Sequence, residues 1–397
     1  MPPNSRRPAG PPPGRVARLR SVLEQARAVQ RRTGKSVGSQ LAEVLRLRLG
    51  SGRLTPLNYF RYGLYNDERF TWEQKREFID WDIYRLGGRV NDVEWRAVAN
   101  DKLAFYAFLR GNGIPHPEVL AFFHPGGRRA GVAPCLRTAD EVSAFLRAGM
   151  TYPFFGKPVT SNYGRGASLV TAYDAAGDRL RLADGTAIEV EQYVREFVEP
   201  RSVSRALGSR SGYIFQHLVR PDPVLEPLIG PHVSTFRVQV LLHDDGPRVH
   251  RVMWRVPVGG NITDNFDGGK AGNLLCVTDA AAGVVRRVLA GRGTPDAPGA
   301  PGAPTDLLGV GTEIEAHPNT GVRLVGLRIP GWDDAIALTL LAARAFPRVR
   351  YQSWDIALAE GGPVVLELNF YGDFLQFGQD RGMNDPELQA FLAKYGK

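Results

Sequence analysis

The chain has 397 residues, 50 Lys and Arg against 41 Asp and Glu, a formal net charge of +9 and a hydrophobic fraction of 43%. That is enough for two or three domains with a sizeable core, in a composition ordinary for a soluble globular protein. Cys135 and Cys276 stand far apart without a CxxC pair, which argues against a disulfide framework or a zinc site. No apolar run approaches bilayer length, and no signal-peptide core heads the sequence, so a cytoplasmic location is expected.

Residues 1–14, MPPNSRRPAGPPPG, read as a disordered Pro/Gly tail. From Arg15 to about Leu49, apolar residues at helical spacing predict an amphipathic helical pair with a basic face, broken at Thr33-Gly34-Lys35. Much of the positive charge lies in this arm. No zinc finger, RNP-like motif or helix-turn-helix accompanies it, so nucleic acid is not the expected partner. Packing on the body is the expected role of these helices, with contact to a membrane surface as the other.

Residues 55–99 are aromatic-rich and read as helical, with a helix start at Thr71, Glu73 and Gln74. Asn100 or Asp101 then caps a helix to Leu109 or Arg110. Lys102 lies in its first turn, where the helix dipole disfavours a cation and a nearby anionic ligand would offset the cost. Phe154-Phe155 forms a short strand that delivers Lys157. The glycine-rich turn Thr160 to Ser168 follows, and a return strand begins at Leu169. Glycines there let backbone N–H groups reach phosphate oxygens, and the strand-turn-strand order differs from a Walker A site.

Tyr213 to Val219 reads as a strand. Val233 to Val240 alternates, with Arg237 opposite its apolar neighbours, and His250 to Val258 presents Arg251 and Arg255 on one face. The loop Asn261 to Asn273 is rich in Gly and Asn, and its Lys270 suits anion contact. Residues 291–306 are low-complexity Pro/Gly/Ala and read as a flexible loop. Trp332 to Phe346 is an amphipathic helix, and Pro386 to Ala393 a short C-terminal one.

The stretch YQSWDIALAEGGPVVLELNF, 351–370, reads as a hairpin around Glu360 to Gly362. Glu367 and Asn369 are two apart, so they share a face, and the hairpin brings Asp355 alongside. Acids among apolar strand residues are costly unless paired or metal-bound. Two carboxylates and a carboxamide form the hard oxygen set that Mg²⁺ prefers, with nucleotide phosphates completing its shell.

These motifs in this order resemble the ATP-grasp superfamily over about residues 95–375, and LNYFRYGLY, NDK, FGKP and the Asn-Phe-x-Gly-Gly loop resemble its sugar-transfer-associated group. The resemblance implies an α+β ATP-grasp fold of two lobes with ATP between them, after a helical N-terminal region over 15–99. The linker and small lid lobe would span 100–215 and the large lobe 216–397. Lys102 and Lys157 would contact phosphates, under a lid that includes Ser161, Gly164, Arg165 and Gly166. Gln216, His217, Leu218 and Val219 would line the adenine pocket. Asp355, Glu367 and Asn369 would hold Mg²⁺. Arg237, Arg255 and Lys270 would face the transferred phosphoryl or the acyl substrate.

Gln216-His217 replaces an acidic pair common in relatives, so ribose contact falls to Asp222 or Glu226. The implied activity is ATP-dependent ligation of a small-molecule carboxylate to an amine or other nucleophile, in cell-surface glycan or secondary biosynthesis. A phosphotransferase acting on a hydroxyl and a catalytically inactive nucleotide-binding adaptor are the alternatives. Oligomeric state stays open.

Overall fold

A computed structural model describes residues 15–80, 83–160, 166–199, 212–292, 294, 306–307, 311–372 and 374–396. The expectations for the tail 1–14, for Ser161, Gly164 and Arg165 in the glycine-rich turn, and for most of 291–306 fall outside these residues. Gly291 itself ends a strand and Asp306 opens another.

The chain opens with helices α1 (Arg15–Thr33), α2 (Val37–Leu49), α3 (Pro56–Arg61), α4 (Trp72–Glu77), α5 (Ile83–Val90), α6 (Arg96–Asn100) and α7 (Lys102–Gly111). Local chemistry sets several of their starts. Ser36 caps α2, and Thr71 with Gln74 closes a reciprocal capping box on α4. Asp101 accepts from the Leu103 and Ala104 amides at the start of α7.

A seven-stranded sheet follows. It comprises β1 (Val119–Phe123), β2 (Cys135–Leu136), β3 (Phe154–Pro158), β4 (Ser168–Asp174), β5 (Arg179–Leu182), β6 (Ala187–Glu189) and β7 (Tyr213–His217), with α8 (Ala139–Ala144) and α9 (Val190–Tyr193) packed on it. Its order is β2-β1-β7-β3-β4-β5-β6, antiparallel except for β1 with β2.

After α10 (Glu226–Ile229) comes an eight-stranded antiparallel sheet. Its strands are β8 (Thr235–His243), β9 (Gly246–Val256), β10 (Leu274–Thr278), β11 (Val285–Gly291), β12 (Asp306–Leu307), β13 (Gly311–Ile314), β14 (Tyr351–Ala359) and β15 (Gly362–Asn369), in the order β12-β13-β11-β10-β9-β8-β14-β15. Helix α11 (Trp332–Arg344) precedes β14, and α12 (Pro386–Tyr395) closes the chain.

Period-two alternation divides the residues of the large sheet between two cores. Val238, Trp254, Cys276 and Trp354 pack with α7 and α11 on one face. Leu241, Met253, Leu275 and Tyr351 meet Tyr59, Phe60 and Phe78 of the N-terminal region on the other. The aromatic residues of 55–80 are therefore core, as their density suggests. Arg237 and Gln239 share the second face, toward the β15 edge. The segment between α7 and β1 is tied to that edge, where the Val365 amide donates to the Pro115 carbonyl at 2.9 Å.

Candidate active site

The β14–β15 hairpin pairs Ala359 with Gly362, which leaves Glu360 and Gly361 as a two-residue turn with Gly361 at φ +87°. Asp355 is opposite Glu367 and Ser353 opposite Asn369, with a bulge between Asp355 and Ile356. All three predicted oxygen donors therefore cluster. Asp355 is buried, while Glu367 and Asn369 are half-buried.

Asp355 is gripped by two arginines. Arg237 Nε donates to Oδ1, and its Nη2 to Oδ2 at 2.9 Å; Arg255 Nη2 donates to Oδ2 at 2.9 Å. Register brings them together, since Asp355 is opposite Arg237 on β8 and Thr235 is opposite Arg255 on β9. Burial alone would raise the Asp355 carboxyl, but the charges of Arg237 and Arg255 outweigh it and hold it down at about 2. Glu367 shifts the other way: burial and the Asp355 charge push it up, with Lys102 opposing.

Arg255 is held on further sides. Its Nη2 and Nε donate to Thr235 Oγ1 at 2.5 and 3.1 Å, and the Thr235 hydroxyl donates to the Asp264 carboxylate. Arg255 Nε lies 3.5 Å from Asp264. Burial raises the Asp264 carboxyl against the pull of Arg255. Asp264 belongs to the loop 261–273, which is braced by Asn273: its amide donates to the Thr263 and Asn265 carbonyls and accepts from Val258 N and Asn261 Nδ2.

The cations come from elsewhere in the chain. Lys102 opens α7, and its pKa is lowered to about 8 by burial, with Glu367 opposing. Lys157 on β3 is likewise lowered to about 8 by burial, again opposed by Glu367. Lys157 donates to the Tyr106 hydroxyl at 2.8 Å, and that hydroxyl donates to the Leu366 carbonyl at 3.1 Å. Lys102 and Lys157 thus come from α7 and the small sheet to converge on the acid of the large sheet.

The other predicted residues divide. Gln216 pairs with Phe155 as Ile214 pairs with Lys157, so Gln216 and Lys157 share a face of the small sheet. Gln216 is 4% exposed, and its Oε1 has no partner among the described residues. The strand expected to reach Val219 ends at His217, because the chain leaves the sheet at Leu218; the imidazole lies 3.5 Å from Glu118. Asp222 accepts from the Val224 amide at 2.9 Å, closing its own turn, and Glu226 opens α10. Gly166 has φ +73°, and a Cβ there would meet Pro158 Cγ at 2.9 Å, so glycine is required. Lys270 is exposed and, among the described residues, makes no ion pair with the cluster. Arg251 shares the face of Arg255 but turns to Asp385, at 2.6 Å.

Asp264, Thr235 and Tyr106 join the site although no sequence motif singles them out. Tyr106 carried a signal, four residues after Lys102 on one helix face. Asp264 carried only its place in a Gly/Asn-rich loop.

Two sheets, with acids on the larger and lysines converging from the smaller and from α7, after a helical region, define an ATP-grasp protein. Residues 84–383 match the family model for sugar-transfer-associated ATP-grasp, and the chain belongs to that family. No curated protein matches it. Among solved structures it is similar to the ATP-grasp ligase PsnB complexed with a minimal precursor, with 18% identity, TM-score 0.36, and coverage of 77% of this chain and 64% of that one. It is also similar to a biotin carboxylase from Campylobacter jejuni, with 11% identity, TM-score 0.41, and 78% and 48% coverage. The VanG D-Ala:D-Ser ligase from Enterococcus faecalis gives 11%, 0.39, 77% and 64%. The chain thus spans less than two thirds of the length of each of these three proteins.

Proposed function

We propose that this protein is an ATP- and Mg²⁺-dependent ligase that joins a carboxylate to an amine or another nucleophile. One observation carries the reading: Lys157 of the small sheet reaches β15 through the Tyr106 hydroxyl and the Leu366 carbonyl, beside Glu367, and Lys102 opens the helix that carries Tyr106, so acid and cations from separate elements meet at one place. The charges suit a metal–triphosphate. Lys102, Lys157, Arg237 and Arg255 face Asp264, Asp355 and Glu367, and burial holds two of those acids toward the neutral form. The cluster is therefore biased toward an anion. Gln216 adds a buried carbonyl oxygen that lacks a donor among the described residues, and the adenine amino group supplies one.

The donor set also suits the metal. Glu367 and Asn369 offer neighbouring oxygens, and two carboxylates pressed together are relieved by a divalent cation between them. Glu367 and Asn369 would hold it, with Asp355 contributing the lone pairs its arginines leave. When bound, the metal would neutralise phosphate charge and polarise the phosphoryl group.

The chain's own residues do the rest. A carboxylate and a triphosphate repel each other, and Lys102, Lys157, Arg237 and Arg255 screen that repulsion. A carboxylate oxygen then bonds to the γ-phosphorus as the bond to ADP breaks. The nucleophile adds to the acyl carbon, and phosphate leaves. The glycine-rich turn before β4 would exclude water from the acyl-phosphate. The family's link to sugar transfer points to glycan or secondary biosynthesis as the setting.

The test is a screen of carboxylates and nucleophiles for Mg²⁺-dependent ADP release, with the product weighed by mass spectrometry. ADP release that needs both partners and yields an amide or ester supports the ligase. A stable phosphate of a hydroxyl compound would replace it with a phosphotransferase. Full cellular activity of Glu367→Ala would replace it with an adaptor.

A further inference from the structure

The first two helices form an antiparallel hairpin in which Gln40 on α2 donates to the Ala26 carbonyl on α1 at 3.0 Å. Their inner face packs on the body, with Ala26, Val29, Val44 and Leu47 buried. The hairpin is also fixed electrostatically. Lys35 Nζ lies 2.7 Å from both Glu43 and Asp67, and the buried Lys75 pairs with the same two acids. The hairpin is thus a rigid part of the surface.

A second apolar row stays outside. Leu41, Leu45 and Leu49 recur every four residues on α2, and Leu19 and Leu23 do so on α1. Gln40 lies level with Ala26, so the antiparallel path sets Leu19 at the end of the hairpin where Leu49 stands. Leu19, Leu45 and Leu49 are 65%, 60% and 79% exposed. Nine large apolar side chains stand exposed among the described residues, and six of them lie between Leu19 and Leu57. So local a concentration marks an interaction surface.

Charge identifies the partner. The first 57 residues hold twelve basic and two acidic residues, which leaves 38 basic and 39 acidic for the other 340. The chain's entire positive excess therefore resides in the segment that exposes the leucines. Arg20, Arg27, Arg46 and Arg48 are themselves exposed beside them. A second copy would set this charge against itself. A layer of anionic headgroups accepts both features at once, with leucines entering the acyl boundary and arginine heads staying among the phosphates. No described helix is long and apolar enough to cross a membrane, so the contact is peripheral.

We propose that the α1–α2 hairpin docks this protein on an anionic phospholipid surface. The inference does not depend on the nucleotide reading. Its test is flotation of the full chain with vesicles of phosphatidylcholine alone and of phosphatidylcholine mixed with phosphatidylglycerol. Flotation is expected only with the mixed vesicles, and it should weaken as salt rises. Leu45→Ser/Leu49→Ser should weaken it roughly tenfold or more, and Arg27→Glu/Arg46→Glu should do the same. All four positions are exposed, so an unchanged melting temperature and an unchanged circular-dichroism spectrum show that the variants fold. No flotation with the mixed vesicles, or flotation untouched by the leucine pair, overturns the proposal. A dimer in sedimentation velocity that Leu45→Ser/Leu49→Ser disperses also overturns it, in favour of self-association.

Discussion

Asp355 and Glu367 stand directly opposite each other across the β14–β15 hairpin, and their affinities for protons diverge. Arginines hold Asp355 ionised, while burial and that neighbouring charge favour a proton on Glu367. Two acids at close range divide in this way when no cation lies between them.

Glu367→Gln separates the metal-binding role from the structural one. The amide keeps the shape and removes the repulsion, so the melting temperature of the ligand-free protein should hold or rise. Glu367 binds its proton more tightly folded than unfolded, so it costs stability as pH rises above the ordinary glutamate range; the variant should lose that slope. The stabilisation conferred by Mg²⁺ with ATP should disappear, and ADP formation should fall by roughly a thousandfold. Calorimetry with and without Mg²⁺ checks both. A variant that retains the full Mg²⁺ response would remove Glu367 from the metal site.

Arg237→Met leaves the buried Asp355 carboxylate with Arg255 alone. The expected loss is about 3–5 kcal/mol in urea denaturation, because a buried charge that loses its partner costs more than the pair contributes. Adding Asp355→Asn should recover most of it. If the double variant loses the sum of what Arg237→Met and Asp355→Asn each lose alone, the two side chains are not energetically coupled.

Nucleotide affinity should depend on pH through Lys102 and Lys157. Both carry folded-state values of about 8 against an ordinary 10.5. Phosphate requires the charged form, so affinity should be full below about pH 8 and then fall, by up to roughly tenfold per pH unit for each lysine. Stability of the ligand-free protein should move oppositely. Burying each charged lysine costs most below pH 8, and that cost is relieved as pH rises from 8 toward 10.5. Titration of ADP at about pH 7 and about pH 9 measures the first effect, and an affinity that stays flat would place both lysines away from the phosphates.

Asp264→Asn should act on turnover rather than on nucleotide binding. It weakens the grip on Thr235 and Arg255 while leaving both lysines in place. ADP affinity should change by less than about threefold, and ADP formation should drop about tenfold or more. An equal loss in both would mean that Asp264 only supports the fold.

What the sequence determined by itself was local. The two-residue spacing of Glu367 and Asn369 puts them on one face of any strand, Thr71 with Gln74 and Asp101 cap their helices from within one turn, and Lys157 is next to last in a strand. Interactions of that range are written in neighbouring residues. Tertiary structure alone decided which groups meet Asp355. Arg237 lies 118 residues away and Arg255 100, and they reach it because β9, β8 and β14 are neighbours in one sheet. The same long-range order made Asp264 part of the cluster, left Lys270 exposed, and turned Arg251 to Asp385. The physical reason is that a period-two pattern fixes the face a side chain takes but not the strand beside it, and an ion pair forms only where both partners are delivered to the same buried place.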